Sequence, residues 1–159
     1  MITSRPIDRR SLMLAGSGLA LAACAQTPKV YDLLVSRDDG CTCCASWAAA
    51  MEKTGRFKVS MFDAGDLLSF KRSVGVPEGL AGCHTAKVEG YIIEGHVPAR
   101  EILRLLEERP ASVLGLAVAG MPRGSDGMEQ ANGQKDAFTV WAFEAGGVKH
   151  AYASYPASA

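Results

Sequence analysis

Hydrophobic runs separated by polar turn segments open the regular part of the chain. Residues 30–35 form a mainly apolar run that ends at a polar turn, residues 36–40, and this pattern predicts a buried strand. Residues 44–55 combine strong helix formers with apolar side chains three and four positions apart and end at a glycine, as expected of a helix. Residues 57–62 alternate apolar and polar side chains and predict a second strand. Two strands joined by one helix favour a parallel pair.

A second helix, a hairpin and a third helix follow in the central part of the chain. Asp63 suits the N-cap of a helix over residues 65–73. Two short apolar runs, 83–88 and 91–93, flank a Glu-Gly turn and predict a hairpin. Residues 99–108 carry an apolar stripe at helical spacing. The resulting order, β-α-β-α-β-β-α, is that of a thioredoxin-like or glutaredoxin-like core.

The C-terminal third of the chain is less regular. Residues 113–118 are apolar, whereas residues 120–128 are rich in glycine and favour neither a helix nor a strand. Residues 138–143 and 148–152 predict a hairpin across a Gly-Gly pair. The predicted fold class is therefore α/β, with a thioredoxin-like core followed by an additional loop and β-hairpin. We expect one domain over residues 30–155, because no repeat or long linker divides the chain.

The first 23 residues have a different pattern, which predicts export from the cytosol. Arginines precede an apolar run that is too short to span a bilayer, as is typical of a signal peptide. Leu21-Ala22-Ala23-Cys24 resembles the lipobox of bacterial lipoproteins, in which the cysteine becomes the lipid-modified first residue. An arginine pair also resembles the twin-arginine signal, so the export route stays open.

This pattern predicts a signal peptide over residues 1–23, lipidation at Cys24 and a polar tether over residues 24–29. The mature protein is then a membrane-anchored lipoprotein that faces the periplasm. An ordinary signal peptide with an incidental cysteine is the alternative. The formal net charge of the whole chain is zero, and without the signal peptide 14 basic and 16 acidic residues remain. We therefore expect no nucleic-acid partner.

Three of the five cysteines, Cys41, Cys43 and Cys44, lie at the predicted junction of the first strand and helix. A helix N-terminus favours negative charge and lowers the pKa of a thiol, which makes the thiol a better nucleophile or metal ligand. Cys41 and Cys44 have the C-x-x-C spacing of thiol-disulfide enzymes, but Cys43 would compete as the resolving thiol. The third cysteine therefore favours metal binding. Thiolates suit Cu(I), zinc or iron-sulfur centres, but the chain lacks the second matched pair that zinc sites usually use.

Cys83 and His84 supply a further thiolate and an imidazole. In the glutaredoxin arrangement, residues just before the third strand lie opposite the N-terminus of the first helix, so four thiolates and an imidazole can converge. Met121 and Met128 lie in the glycine-rich loop, and a thioether binds Cu(I)-like ions. Both are candidate ligands, although for either one the alternative is a loop residue pinned to the core.

The remaining histidines and two other methionines are predicted to be structural. His96 precedes a helix start and His150 lies in the predicted C-terminal hairpin, so a surface or hydrogen-bonded position is expected of both. Met51 and Met61 occupy apolar positions of regular elements, which predicts core packing. The sequence contains no evident Ser-His-Asp set, phosphate-binding glycine loop or paired carboxylates.

Five motifs of the mature chain form a recognisable set. They are Cys41-Thr-Cys-Cys44, Cys83-His-Thr-Ala, Glu89-Gly-Tyr-Ile-Ile-Glu-Gly-His-Val-Pro98, Gly115-Leu-Ala-Val and Gly120-Met-Pro-Arg-Gly-Ser-Asp-Gly-Met-Glu129. Over residues 30–152 the set resembles a family of exported metal-binding proteins, long described as a domain of unknown function, that includes the copper-resistance protein CopG. The resemblance implies a thioredoxin-like fold that binds copper as a multinuclear Cu(I) cluster able to change oxidation state. It implies thiolate ligands at Cys41, Cys43, Cys44 and Cys83, with His84, Met121 and Met128 as candidates.

Two classes of function follow from these observations. The first is a copper-binding protein of the cell envelope, not a conventional enzyme, that holds Cu(I) for copper resistance, transfer or Cu(I)/Cu(II) redox conversion. Its partners are copper ions and other envelope copper-handling proteins, and it contacts the membrane only through its lipid anchor. The second is a thiol-disulfide oxidoreductase with Cys41 as the nucleophile and Cys44 as the resolving thiol. A zinc-stabilised structural lipoprotein is a third, weaker alternative.

Overall fold

The computed structural model describes residues 28–159, which form seven strands and three α-helices. The predicted signal peptide, the lipobox with Cys24 and most of the tether lie outside the described residues. In chain order the elements are β1 (Tyr31–Arg37), α1 (Thr42–Lys53), β2 (Phe57–Asp63), α2 (Leu67–Ser73), β3 (His84–Val88), β4 (Tyr91–Glu94), α3 (Ala99–Glu108), β5 (Val113–Ala117), β6 (Phe138–Glu144) and β7 (Lys149–Tyr155). The mixed α/β class predicted from the sequence is confirmed.

All seven strands belong to one sheet, in the order β2-β1-β3-β4-β5-β6-β7. The predicted parallel pairing of β1 with β2 is confirmed, and β3 runs antiparallel to both β1 and β4. The apolar run over residues 113–118, for which no element was predicted, forms β5, which lies parallel to β4 and antiparallel to β6. Because β5 joins them, the predicted C-terminal hairpin, β6 and β7, extends the main sheet.

The start of α2 differs from its prediction. Asp63 is the last residue of β2, where it pairs with Arg37 of β1, and its carboxylate lies 3.1 Å from the Arg37 Nε. The helix instead begins after Asp66, whose Oδ1 accepts a 2.9 Å hydrogen bond from the backbone N–H of Ser69. The predicted Asp63 cap is therefore wrong, because strand pairing continues to that residue and a second aspartate three positions later takes the capping role.

Hydrophobic clusters cover both faces of the sheet. Ile92 and Ile93 are neighbours in β4 and point to opposite sides. Ile93 belongs to the larger cluster with residues of α1 and α3, whereas Ile92 belongs to a smaller cluster with Phe143 of β6. Met51 is fully buried in the larger cluster, as predicted. The core prediction for Met61 is wrong: this residue is 42% exposed, because it lies at the exposed C-terminal end of the edge strand β2, whereas Phe57 at the start of the same strand is buried.

The β5–β6 loop, residues 118–137, returns to the N-terminal end of α1. Gly127 of this loop has a φ of +81°, and a β-carbon built on it would lie 2.6 Å from the Cα of Trp47. The loop backbone therefore lies directly on α1, close to the cysteines. Within residues 28–159, no helix is both long and apolar enough to cross a bilayer.

Candidate metal centre

The cysteine motif lies at the start of α1. The helix begins two residues earlier than predicted, so that Cys41 is its N-cap residue and its first turn contains no acidic side chain. Cys44 faces inward and is fully buried, whereas Cys41 and Cys43 are half-buried. Arg37 also donates a 3.1 Å hydrogen bond from Nη1 to the carbonyl of Cys41. The cysteines thus occupy the positive end of the helix dipole, which stabilises thiolates.

The four predicted cysteine ligands converge. The sulfur atoms of Cys41, Cys43, Cys44 and Cys83 all lie within 4.8 Å of one another. Cys41 and Cys44 form a disulfide bond, while Cys43 and Cys83 are free thiols. The Sγ of Cys43 lies 3.5 Å from that of Cys41, and the Sγ of Cys44 lies 3.7 Å from the carbonyl oxygen of Cys83. Reduction of the disulfide would leave four sulfur donors in one small volume.

Cys83 also belongs to a second group of possible ligands, with His84 and His96. Its Sγ lies 3.2 Å from the Nδ1 of His84 and 3.2 Å from the Nε2 of His96. Both histidines are fully buried. The sequence predicts His84 at the site and a surface or hydrogen-bonded position for His96. The hydrogen-bonded position of His96 is confirmed, but its place beside Cys83 was not predicted.

The predicted hairpin contains a sequence signal that places His96 beside Cys83. Thr85 pairs with Glu94 across β3 and β4, and continuing this register by two residues brings Cys83 opposite His96. The Glu-Gly turn on which the hairpin prediction rests therefore implies the same pairing. The register that this turn sets for the strands thus also applies to the two residues beyond them.

The hydrogen bond between His96 and Asp126 shows which ring nitrogen of His96 carries the proton and which one is free to accept at the Cys83 thiol. Its Nδ1 lies 2.9 Å from the carbonyl oxygen of Asp126 in the β5–β6 loop. A carbonyl only accepts hydrogen bonds, so Nδ1 carries the proton and Nε2 directs its lone pair toward Cys83. Metal-binding histidines usually have this arrangement, in which one nitrogen donates to a carbonyl and the other binds the ion.

His84 is held mainly by packing. Its ring lies 4.3 Å from the Trp47 ring, measured between centroids, and Trp47 donates a 3.0 Å hydrogen bond from Nε1 to the carbonyl of Val97. The Nδ1 of His84 faces Cys83, while its Nε2 is buried and has no hydrogen-bond partner among residues 28–159. The ring therefore directs one nitrogen into the cluster of cysteines and histidines.

Burial controls the protonation of these groups. It lowers the pKa of His84 to about 3, with further contributions from His96 and Lys71, and it also lowers the pKa of His96 against the opposing effect of the Asp126 hydrogen bond. Both rings are therefore neutral near pH 7, as metal binding requires. Burial raises the pKa of Cys83 to about 12, and the neighbouring Cys43 adds to the shift. Without a cation Cys83 is a thiol, and a bound metal ion would displace its proton.

Of the two predicted methionines, one contacts the cysteines. The Sδ of Met121 lies 3.6 Å from the Sγ of Cys43, and Met121 is 52% exposed. Met128 is half-buried, and its backbone hydrogen bonds to Ser125 and Gly124 remain within its own loop. The structure therefore brings Met121 to the solvent-facing side of the cysteine group, whereas the backbone hydrogen bonds of Met128 tie it to its own loop.

Comparisons with known proteins identify one matching family and similar solved structures. The profile of a family described as "Protein of unknown function, DUF411" matches residues 80–128, which include Cys83, His84 and His96. A solved structure of the copper resistance protein CopG, form 1, is 38% identical over 82% of this chain and 99% of the CopG chain, with a TM-score of 0.73. Its form 2 is 38% identical over 80% and 100%, with a TM-score of 0.74. No curated protein sequence matches this chain.

The fold and the site define a mixed α/β protein with a cysteine and histidine cluster suited to metal binding. Since it shares 38% identity with CopG across almost the whole CopG chain, and DUF411 matches its central part, the chain belongs to the DUF411 family that includes CopG.

Proposed function

We propose that this protein binds copper as Cu(I) through the thiolates of Cys41, Cys43, Cys44 and Cys83. The observation that carries this proposal is the convergence of four sulfur atoms within 4.8 Å. Thiolate and thioether sulfur are soft ligands, and Cu(I) is the common biological ion that accepts both. The similarity to proteins named for copper resistance favours copper over zinc.

More than one ion is expected in the site. Cys83 belongs both to the four-cysteine group and to the group with His84 and His96, and a thiolate sulfur has enough lone pairs to bridge two ions. The Nε2 of His96 and the Nδ1 of His84 are the nitrogen donors that face Cys83. This sharing supports a multinuclear cluster in which Cys83 is the bridge.

Met121 is proposed as a further sulfur donor. Its thioether lies beside Cys43 at the exposed side of the group, where an ion arriving from solvent or from another protein would first meet the site. Met128 remains a candidate ligand on its sequence position alone.

The proposed role is copper resistance in the cell envelope, by holding Cu(I), transferring it to other envelope copper-handling proteins or converting it between Cu(I) and Cu(II). We propose the exported, lipid-anchored form, with signal peptide 1–23 and lipidation at Cys24, on the sequence pattern. The thioredoxin-like interpretation is part of the same proposal. It is supported by the order β2-β1-β3-β4 and the parallel pairing of β1 with β2.

Copper titration of the reduced protein, purified without oxygen, tests this function. We expect more than one Cu(I) per chain to survive desalting, and fewer to bind to Cys83→Ser, because that variant removes the bridging sulfur. The matched control is His150→Ala, since His150 is an exposed residue of β7. A parent protein without bound copper, or a Cys83→Ser variant with the parent stoichiometry, contradicts the proposal.

Thiol-disulfide exchange is the second candidate, and one observation favours it. Cys41 and Cys44 form a disulfide across the C-x-x-C spacing, so a two-electron dithiol couple is available. Reduction of insulin disulfides by the reduced, metal-free protein, with oxidation of its Cys41/Cys44 dithiol to the disulfide, would support this activity, and Cys44→Ser should then trap a mixed disulfide at Cys41. Insulin reduction no faster than that of a Cys41→Ser variant would exclude it.

A further inference from the structure

A buried ion pair lies directly behind Cys83 and His84. The Nζ of Lys71 in α2 lies 2.6 Å from the Oε1 of Glu94 at the end of β4, and their side chains are 7% and 0% exposed. Neither residue belongs to the cysteine and histidine groups described above. Two charges have therefore been removed from water beside the site without an evident role as ligands.

The carboxylate of Glu94 holds the chain on both sides of the two ligands. Its Oε1 accepts a 2.6 Å hydrogen bond from the backbone N–H of Gly82, and its Oε2 accepts a 2.6 Å hydrogen bond from the hydroxyl of Thr85. Lys71 donates to that same hydroxyl at 2.9 Å. Because Cys83 and His84 are the two residues between Gly82 and Thr85, one carboxylate restrains both ends of this dipeptide.

The backbone around the dipeptide has little freedom to shift. A β-carbon built on Gly82 would lie 2.7 Å from the Cα of Gly95, and the N–H of Gly95 donates a 3.0 Å hydrogen bond to the carbonyl of His84. Gly82 and Thr85 are therefore restrained by Glu94, and His84 is restrained by Gly95. Cys83 lies between these restrained residues, and its sulfur points into the cluster.

Stability alone is a poor explanation for this buried pair. Removing two charges from water is costly, and well-packed apolar residues of similar volume often stabilise a core equally well or better. Contacts behind a metal ligand, in contrast, orient that ligand, and their loss weakens metal binding. We propose that Glu94, with Lys71 and Thr85, is a positioning group that holds Cys83 and His84 toward the bound copper ions, an inference that rests on the proposed copper function.

Thr85 offers a matched pair of variants for the test. Thr85→Val keeps the side-chain shape but removes the hydroxyl that bridges Lys71 and Glu94, whereas Thr85→Ser keeps the hydroxyl and loses only a methyl group. In competition with a chromophoric Cu(I) chelator, we expect Thr85→Val to bind copper about tenfold to a hundredfold more weakly than the parent. Thr85→Ser should restore most of the affinity.

The double variant Lys71→Met/Glu94→Leu removes the charges together, so that no unpaired charge stays in the core. Its control is Leu105→Ala, which truncates a fully buried residue of α3 and lowers stability by a mechanism unrelated to the site. Copper X-ray absorption should show a changed ratio of sulfur to nitrogen ligands in Thr85→Val and in the double variant, and the parent ratio in Leu105→Ala.

The outcomes separate this inference from the proposed function. If the parent binds copper and both Thr85→Val and the double variant match its affinity and spectrum, the positioning role is wrong while copper binding stands. Equal losses in Thr85→Val and Leu105→Ala would also reject it, because general destabilisation would then explain both. If the parent itself binds no copper, the proposed function fails. Should the double variant fail to fold, the Thr85→Val and Thr85→Ser pair still decides the matter.

Discussion

Cys83 is the one residue that belongs to both groups of candidate ligands within residues 28–159. Its sulfur faces the other three cysteines on one side and two imidazole nitrogens on the other. Its backbone is held by neighbours on both sides, while burial keeps the thiol protonated until a cation arrives.

His96 provides a prediction at this scale. Replacing His96 with alanine should weaken Cu(I) binding about tenfold or more, because the substitution removes a nitrogen whose lone pair is directed at Cys83 by the Asp126 carbonyl. Chelator competition measures the change. His150→Ala is again the control, and an unchanged affinity in His96→Ala would mean that this ring is not a ligand.

The buried His84 predicts a pH dependence of stability. Its pKa in the folded protein is lowered to about 3, so between that value and about 6.5 the unfolded chain binds more protons than the folded chain. The free energy of unfolding of reduced, metal-free protein should therefore fall on acidification below about pH 6, by up to about 1.4 kcal/mol per pH unit from this ring.

Urea denaturation at several pH values measures this effect, and the variant His84→Asn serves as the comparison because it cannot titrate in this range. The parent should lose more stability than His84→Asn between pH 6 and pH 4. Parallel losses in the two proteins would show that His84 does not contribute to the acid sensitivity.

At the scale of elements, the site is built from the ends of regular structure. The start of α1 supplies three cysteines, the segment before β3 supplies Cys83, and the segment after β4 supplies His96. The β5–β6 loop closes the arrangement, since it holds His96 through Asp126 and brings Met121 to Cys43. Element ends leave backbone groups and side chains free to point at an ion, whereas the hydrogen-bonded interiors of strands and helices do not.

The variant Gly127→Ala tests whether stability and copper binding require the close contact between the β5–β6 loop and α1. Gly127→Ala should lower the free energy of unfolding by about 1–3 kcal/mol, because a β-carbon there meets the backbone of Trp47 at a positive φ. Copper affinity should fall as well, since the loop carries Met121 and Asp126. Gly133→Ala is the matched control: its φ is +75° but no atom lies within 4 Å of the added carbon. Equal effects in the two variants would indicate backbone strain alone.

At the scale of the whole molecule, the site brings together three segments that are distant in the chain and that the sheet alone would hold in place. The cysteines of α1, the β3–β4 hairpin and the β5–β6 loop meet above strands whose own pairing does not require a metal. A bound ion would therefore act as an additional link between three segments of the fold. The buried pair of Lys71 and Glu94 joins α2 to the same region.

Copper should consequently stabilise the folded protein. Binding only to the folded state at a free ligand concentration one hundred times Kd raises the free energy of unfolding by about 2.7 kcal/mol for one site. We expect Cu(I) to raise the unfolding temperature of the reduced protein, and a chelator to reverse the change. The Cys41–Cys44 disulfide form should show a smaller increase, because two of its four sulfurs are not thiolates. An identical shift in the oxidised and reduced forms would contradict this account.

Local patterns were sufficient to predict much of the fold. The parallel pair β1 and β2, the β3–β4 hairpin, α3 and the β6–β7 hairpin follow from apolar periodicity and turn residues, which depend on neighbours in the chain. The proximity of Cys41, Cys43 and Cys44 likewise follows from their adjacency. Where several residues compete for one local role, as Asp63 and Asp66 do for the N-cap of α2, the pattern alone does not choose between them.

The sequence by itself determined the cysteine cluster, the Cys83-His84 pair and the order of the main elements. Only the tertiary structure decided that Met121 rather than Met128 meets Cys43 and that Met61 is exposed. The reason is physical: Met121 and Cys43 are 78 residues apart, and the exposure of Met61 depends on how far the core extends along the edge strand β2. Such contacts arise from packing between distant segments, which local periodicity does not encode.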